Sequence, residues 1–284
     1  MDWNALLARA QRQRAMPRRR SRPRKPKKWL HPAAIEREYV RAVRGVADQT
    51  VQAVERFVIP ALSAVRGDDL NRPPEDDRWY NALELAFTEA LAAAAVSDEA
   101  VRNVIALFAG RVDAFNSAQF HALLRGAYGV DIVTAEPRIA ALLRVWEAEN
   151  LRLIKSIPVQ YLDTLQGRIV AAVARGESLR SLTAFVRDTY RLPTERAELI
   201  ARDQVGKLNG RLTGYRQANV GVTEYRWRGT LDARERDAHV AREGKVIAWD
   251  APPDDGHPGE PIRCRCWAEP VLPDLDDLDA LIVH

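Results

Sequence analysis

Residues 254–272 read DDGHPGEPIRCRCWAEPVL, and Cys264 and Cys266 are the only two cysteines in 284 residues. They stand two apart, just beyond a His-Pro. Three assignments compete for them: a metal site, a disulfide, or two small apolar side chains in a strand. In a strand, residues i and i+2 face the same side, so both thiols share one face while Arg265 points to the other. The choice depends on what surrounds them.

Working outward, the whole stretch from Gly221 to Leu272 has the character of a small α+β module. VTEYRWRG (222–229) alternates as a strand with Thr223, Tyr225 and Trp227 on one side. DARERDAHVAREG (232–244) reads as a short helix, with Asp232 as N-cap, Glu235 completing a capping box and Gly244 at the C-terminal turn. KVIAW is a second strand, DAPPDDGHPGEPI a proline-rich loop and CRCWAEPVL a third strand. About fifty residues bury little core alone, so the module must pack on helices or carry a staple.

The chain has five histidines, and two of them, His239 and His257, lie close to the cysteines in sequence. His239, His257, Cys264 and Cys266 together make a tetrahedral zinc set, and one structural zinc would tie helix, loop and strand together. Against this, structural zinc sites prefer two or more residues between paired cysteines, and this pair has one. Reduced, buried cysteines with polar histidines fit as well, His239 then bonding Asp232 or a backbone carbonyl. A disulfide is the third reading. No secretion signal is read at the N-terminus, and a reducing cytoplasm disfavours stable disulfides.

Upstream, the periodicity is helical. Tyr39, Val43, Val46, Thr50, Val54 and Phe57 recur at three and four until Pro60, where the pattern falters. Trp79 to Gly110 reads as one or two helices and residues 112–129 as another. Pro137 opens a long helix with Ile139, Leu142, Leu143 and Trp146 on one face, and Pro158 predicts a break before Tyr161. The face of Leu142, Trp146 and Leu153 reads as core. Ser178 and Thr194 are candidate caps for the two helices that follow. The expected fold is mainly α: an extended helical body with a small C-terminal α+β module. The segments are a disordered basic arm (1–28), an N-terminal helical region (29–135), a long-helix region (136–220), the module (221–272) and an acidic tail (273–284).

Residues 1–28 hold eleven Lys or Arg against one acid, a net of +10, which leaves −6 for the rest of a chain whose formal charge is +4. Arg18, Arg19, Arg20, Arg22, Arg24, Lys25, Lys27 and Lys28 lie among prolines with no apolar side chain, so this arm cannot offset the entropy of ordering. It is either an electrostatic contact for nucleic acid or a solubilising tail. No run reaches the roughly 18 apolar residues of a membrane span. No nucleophile elbow, P-loop or dinucleotide turn is present. The one catalytic alternative is a nuclease or other phosphodiester-cleaving enzyme centred on His239, near Asp232, Arg234 and Arg236. The alternating charges of that helix fit a solvated, salt-bridged face as readily.

AENLRLIKSIPVQYL (148–162), RAELIARDQVGKLN (196–209), GVTEYRWRGTLDARERDAH (221–239), GKVIAWDAPP (244–253) and HPGEPIRCRCWAEPV (257–271) follow one another in order. From about Phe115 to Val271 this resembles the phage head morphogenesis family typified by the Mu F protein. Asp232, Arg234, Arg236, His239, His257, Cys264, Arg265 and Cys266, with Gly244, Pro253 and Pro258, fall in that family's motif. The resemblance implies a minor head (capsid) protein of a tailed phage or prophage rather than an enzyme. It would act beside the portal in head assembly and in DNA packaging or ejection. Implied partners are the portal and the major capsid or scaffold proteins, with phage DNA met through the basic arm and no membrane. The implied location is the host cytoplasm during assembly, then the virion head.

Overall fold

The computed structural model describes residues 29–65, 78–128 and 135–272. Residues 1–28 and 273–284, read above as the basic arm and the acidic tail, and residues 66–77 and 129–134 lie outside the described residues. Six helices and a small antiparallel sheet bear out the mainly-α expectation: α1 (Ala33–Ala53), α2 (Arg78–Ala94), α3 (Asp98–Tyr128), α4 (Ile139–Ala174), α5 (Leu179–Asp188), α6 (Arg191–Asn219), β1 (Glu224–Arg228), a single helical turn α7 (Asp237–Val240), β2 (Val246–Ala248) and β3 (Trp267–Pro270). No helix among them is long and apolar enough to cross a membrane.

Several sequence-based boundaries are corrected. Pro60 does not stop the first helix. A π-helical turn, Val54–Val58, lets the Ile59 N–H reach Val54 O, and Pro60 enters a new first turn where no N–H is needed. Trp79 to Tyr128 holds two helices, and α3 runs unbroken through Gly110. Pro158 lies inside α4 instead of breaking it. An internal proline costs about 3 kcal/mol. The flanking Ile154, Ile157, Tyr161 and Leu162 are all buried, each contributing about 1.5–3 kcal/mol. Burial wins. Pro137 sits in the turn before α4, and Thr194 lies within α6, whose first turn accommodates Pro193. Ser178 does cap α5, accepting the Ser181 N–H at 3.2 Å.

The chain forms two compact units, each assembled from separate stretches. The helical unit takes Glu36–Leu107 and Glu147–Arg202. Its core joins Val54, Val58 and Leu62 to Leu83, Phe87 and Ala90 of α2, Leu165 and Ile169 of α4, and Leu182 and Val186 of α5. Tyr39 hydroxyl donates to Asn150 Oδ1 at 2.9 Å in its interior. Burial raises that phenol's pKa above the ordinary value.

Among the described residues, the module-bearing unit takes 29–35, 108–128, 135–146 and 203–272. Trp146 of α4 is core, as expected, its indole N–H donating to Gln204 O at 2.9 Å; Leu142 is half-buried. Polar groups line the α3–α6 contact: Asn116 Nδ2 donates to Asn209 O at 3.1 Å and to Thr213 Oγ1 at 2.8 Å. Arg216, 1% exposed, pairs with Asp113 at 2.6 Å and Glu136 at 2.7 Å and donates to Asn116 Oδ1 at 2.7 Å.

The sheet order is β2-β1-β3, with Tyr225 opposite Ile247 and Pro270, and Trp227 opposite Ala268. Pro270, which cannot donate to a ladder, lies on an edge strand. Tyr225, Trp227 and Ala268 bury one face, as the alternation of EYRWR predicts. On the other, Arg228 bridges Glu243 and Glu269.

The module meets α6 nearly backbone to backbone. Gly206, Gly210 and Gly214 recur every four residues and so share a helix face. A Cβ on Gly210 would stand 2.6 Å from Pro258 O, and one on Gly214 3.0 Å from the Trp249 ring. Gly259 adopts a φ of +94°, open to glycine, and lies against this face. Buried Gln217 completes the joint, donating to Ala268 O at 2.8 Å and accepting the Trp249 indole N–H at 3.1 Å.

Candidate functional site

The cysteines enter β3 rather than lying in it: β3 begins at Trp267, and Cys264–Cys266 is an unpaired approach segment. Arg263, at φ 56°, turns the chain into it. Both thiols are nonetheless buried against Tyr225, Trp227 and Ala268, and both are free. The disulfide reading is therefore not what this structure holds.

The helix read as starting at Asp232 starts at Asp237, with Arg236 as N-cap and no side-chain cap. Asp232 instead accepts the Arg234 N–H at 3.0 Å, closing a local turn on the surface. The Arg234 guanidinium bonds Asp232 as well and holds its carboxyl below the usual range. Glu235 accepts the Leu231 N–H at 2.5 Å, not the Asp232 N–H of a capping box, and so faces inward. Its other oxygen lies 3.3 Å from Cys266 Sγ.

His239 is 2% exposed, which overturns the solvated-face reading of this turn. Its ring packs edge-on against Trp227, centroids 5.2 Å apart. Nδ1 faces both thiols, 3.4 Å from Cys266 Sγ and 3.7 Å from Cys264 Sγ. Nε2 lies 2.9 Å from Asp255 Oδ2, so Asp255, not Asp232, is the histidine's partner. Arg242 holds the other Asp255 oxygen at 2.6 Å and covers the Trp227 ring at 5.1 Å. Burial favours the neutral acid, but these two hydrogen bonds keep the Asp255 pKa below its ordinary value.

Cys264 sits low, at about 6: the bond from Cys266 outweighs burial, aided by the Gly259 N–H. The same bond and burial push Cys266 up. The Gly259 N–H lies 3.4 Å from Cys264 Sγ.

Among the described residues, His239, Cys264 and Cys266 place one ligand atom each within 4.8 Å of one another. His257 stands outside that group. Its Nδ1 lies 3.0 Å from the Tyr225 hydroxyl, and its ring stacks against Trp249 at 4.7 Å, pinning the proline-rich loop. Arg236 donates to Ile262 O at 2.7 Å, tying α7 to the approach segment. Arg265, between the two buried thiols, is half-exposed. The basic arm residues lie outside the described residues. Sequence reading missed Glu235 as an inward carboxylate and Asp255 as the outer partner of His239. The signal for Asp255 is faint: one of two adjacent acids before a glycine in PDDG.

Residues 163–269 match the family described as Phage Mu protein F like protein. That span runs from the second half of α4 to β3. The chain is also 37% identical, over 174 residues, to an uncharacterized protein of Haemophilus influenzae. The alignment takes in 60% of this chain and 39% of that protein, so the chain spans about two fifths of its relative's length. No solved structure matches.

Proposed function

We propose that this chain is a minor head protein of a tailed phage or prophage. It works beside the portal while the head assembles and while DNA is packaged or ejected. The observation that carries this reading is the Mu F-like region over residues 163–269, coextensive with α5, α6 and nearly all of the module. The module docks on α6 through glycines and a buried glutamine, a joint suited to a fixed part rather than a moving one. Its partners in this reading are the portal and the capsid or scaffold proteins, met in the host cytoplasm and kept in the virion head. The +10 arm of residues 1–28 is directed to phage DNA, giving sequence-independent, salt-sensitive attraction.

What supports a structural role over phosphodiester cleavage is the state of His239. A general base must reach its substrate's proton. This imidazole is 2% exposed, and both ring nitrogens already face protein partners.

The test is to co-express the portal, capsid and packaging genes with the full chain, without it, and with a chain starting at Trp29. DNA-filled heads are expected to fall at least about tenfold without the chain, and to fall partially with the shortened one. Equal yields of filled heads with and without the chain would contradict the role.

A further inference from the structure

The geometry points to a zinc site with three protein ligands, Cys264 Sγ, Cys266 Sγ and His239 Nδ1, which lie within 4.8 Å of one another. This inference rests on the site's own distances and stands whether or not the chain works in phage heads.

Three observations carry it. Tetrahedral zinc with Zn–S of about 2.3 Å and Zn–N of about 2.0–2.1 Å separates a sulfur from a nitrogen by about 3.5 Å. The Nδ1 to Sγ distances of 3.4 and 3.7 Å bracket that edge. The imidazole nitrogen thus already sits at coordination spacing from both sulfurs. Glu235 Oε1 stands 3.3 Å from Cys266 Sγ but outside that three-residue group, so it is a neighbour of one thiol and not a fourth ligand.

The second observation is the outer partner. Nε2 of His239 faces Asp255 at 2.9 Å, which fixes the tautomer that leaves the Nδ1 lone pair aimed at the sulfurs. Arg242 in turn fixes Asp255 at 2.6 Å. A carboxylate behind a histidine is the usual support for a metal-bound imidazole. Third, the Gly259 N–H directed at Cys264 Sγ is a donor that favours a thiolate.

The mechanical consequence follows from connectivity. His239 comes from α7 and the cysteines from the approach to β3, so one ion would join segments 25 residues and more apart. In a module too small for a large core, that junction is worth folding energy. One residue between the cysteines is tolerated because the Arg263 turn and the extended approach direct both thiols inward.

The experiment is metal analysis of the full-length protein, purified without a histidine tag or chelator and then titrated with Zn²⁺ and Co²⁺. About one equivalent of zinc is expected. The cobalt form should show the intense visible bands of a tetrahedral ion with a thiolate charge-transfer band. Cys264→Ser should lose the ion, His257→Ala should keep it, and Asp255→Asn should weaken affinity about 10–100-fold. If Cys264→Ser does not fold, the cobalt spectrum of the wild type decides. Less than a tenth of an equivalent in folded protein, with no uptake on titration, overturns the assignment. So does bound cobalt without a thiolate band, or loss of the ion in His257→Ala.

Discussion

Replacing Arg216 with methionine is expected to destabilise the protein by about 3–5 kcal/mol, the range for breaking a buried ion pair from one side. The guanidinium is 1% exposed and holds Glu136 through two nitrogens, at 2.7 and 3.0 Å, besides Asp113 at 2.6 Å. Methionine fills similar volume but leaves two carboxylates and the Asn116 amide oxygen facing an apolar chain. The two acids keep about a quarter of their side-chain surface in water, 27% and 25%, which places the effect nearer the lower end. Denaturant unfolding followed by tryptophan fluorescence measures it. The triple change Arg216→Met, Asp113→Asn and Glu136→Gln should recover a good part of the loss, because the penalty comes from uncompensated charge. A loss below about 1 kcal/mol for Arg216→Met would show that this network is not what joins α3 to α6.

The second large effect is a change of sign between glycines. Gly110→Ala, in the open middle of α3 with nothing within 4 Å of the added Cβ, should stabilise by about 0.5–1 kcal/mol. Gly210→Ala gains the same helix propensity, but its Cβ would meet Pro258 O at 2.6 Å and Gly259 Cα at 3.3 Å. Both obstacles are backbone, so the loop carrying His257 must shift. The net expectation is a loss of about 1–3 kcal/mol. Melting temperatures of the two variants should move in opposite directions from wild type. A stabilised Gly210→Ala would mean the module does not seat on α6 as described.

These two positions also show what the sequence made legible. The alternation in EYRWR marked β1 and its buried face, and the spacing of three and four marked the α1 stripe, because burial there repeats with the backbone period. Arg216 looked like any surface charge on a charged helix. Its burial depends on Asp113 and Glu136, which lie 103 and 80 residues away and are brought to it only by tertiary packing. The glycines were visible as a four-residue repeat, but glycine in a helix signals weakness until a partner backbone is known to approach it. Pro158 misled for the same reason: local cost was legible, while the core on both sides of it was not. The boundaries of the two units fall inside α1, α3, α4 and α6, where no proline, glycine run or charge shift marks a linker.

At the site, residue types were read more successfully than backbone. The cysteines share a face as expected, but from an approach segment that leaves the ladder to Trp267 onward. His239 joins them and His257 does not, because the proline-rich loop folds His257 onto Tyr225 and Trp249 instead. Glu235 was assigned to a cap by its position three residues after Asp232. The turn at Leu231, φ 54°, brings its carboxylate to Cys266.

The most direct measurement of the central claim is where the chain resides. Gradient-purified procapsids and virions, made with all head genes present, should be quantified by mass spectrometry against the portal protein. The chain is expected to co-sediment with both particles in low copy, comparable to the portal and far below the major capsid protein. Its absence from procapsids and virions alike would contradict the assignment to the head.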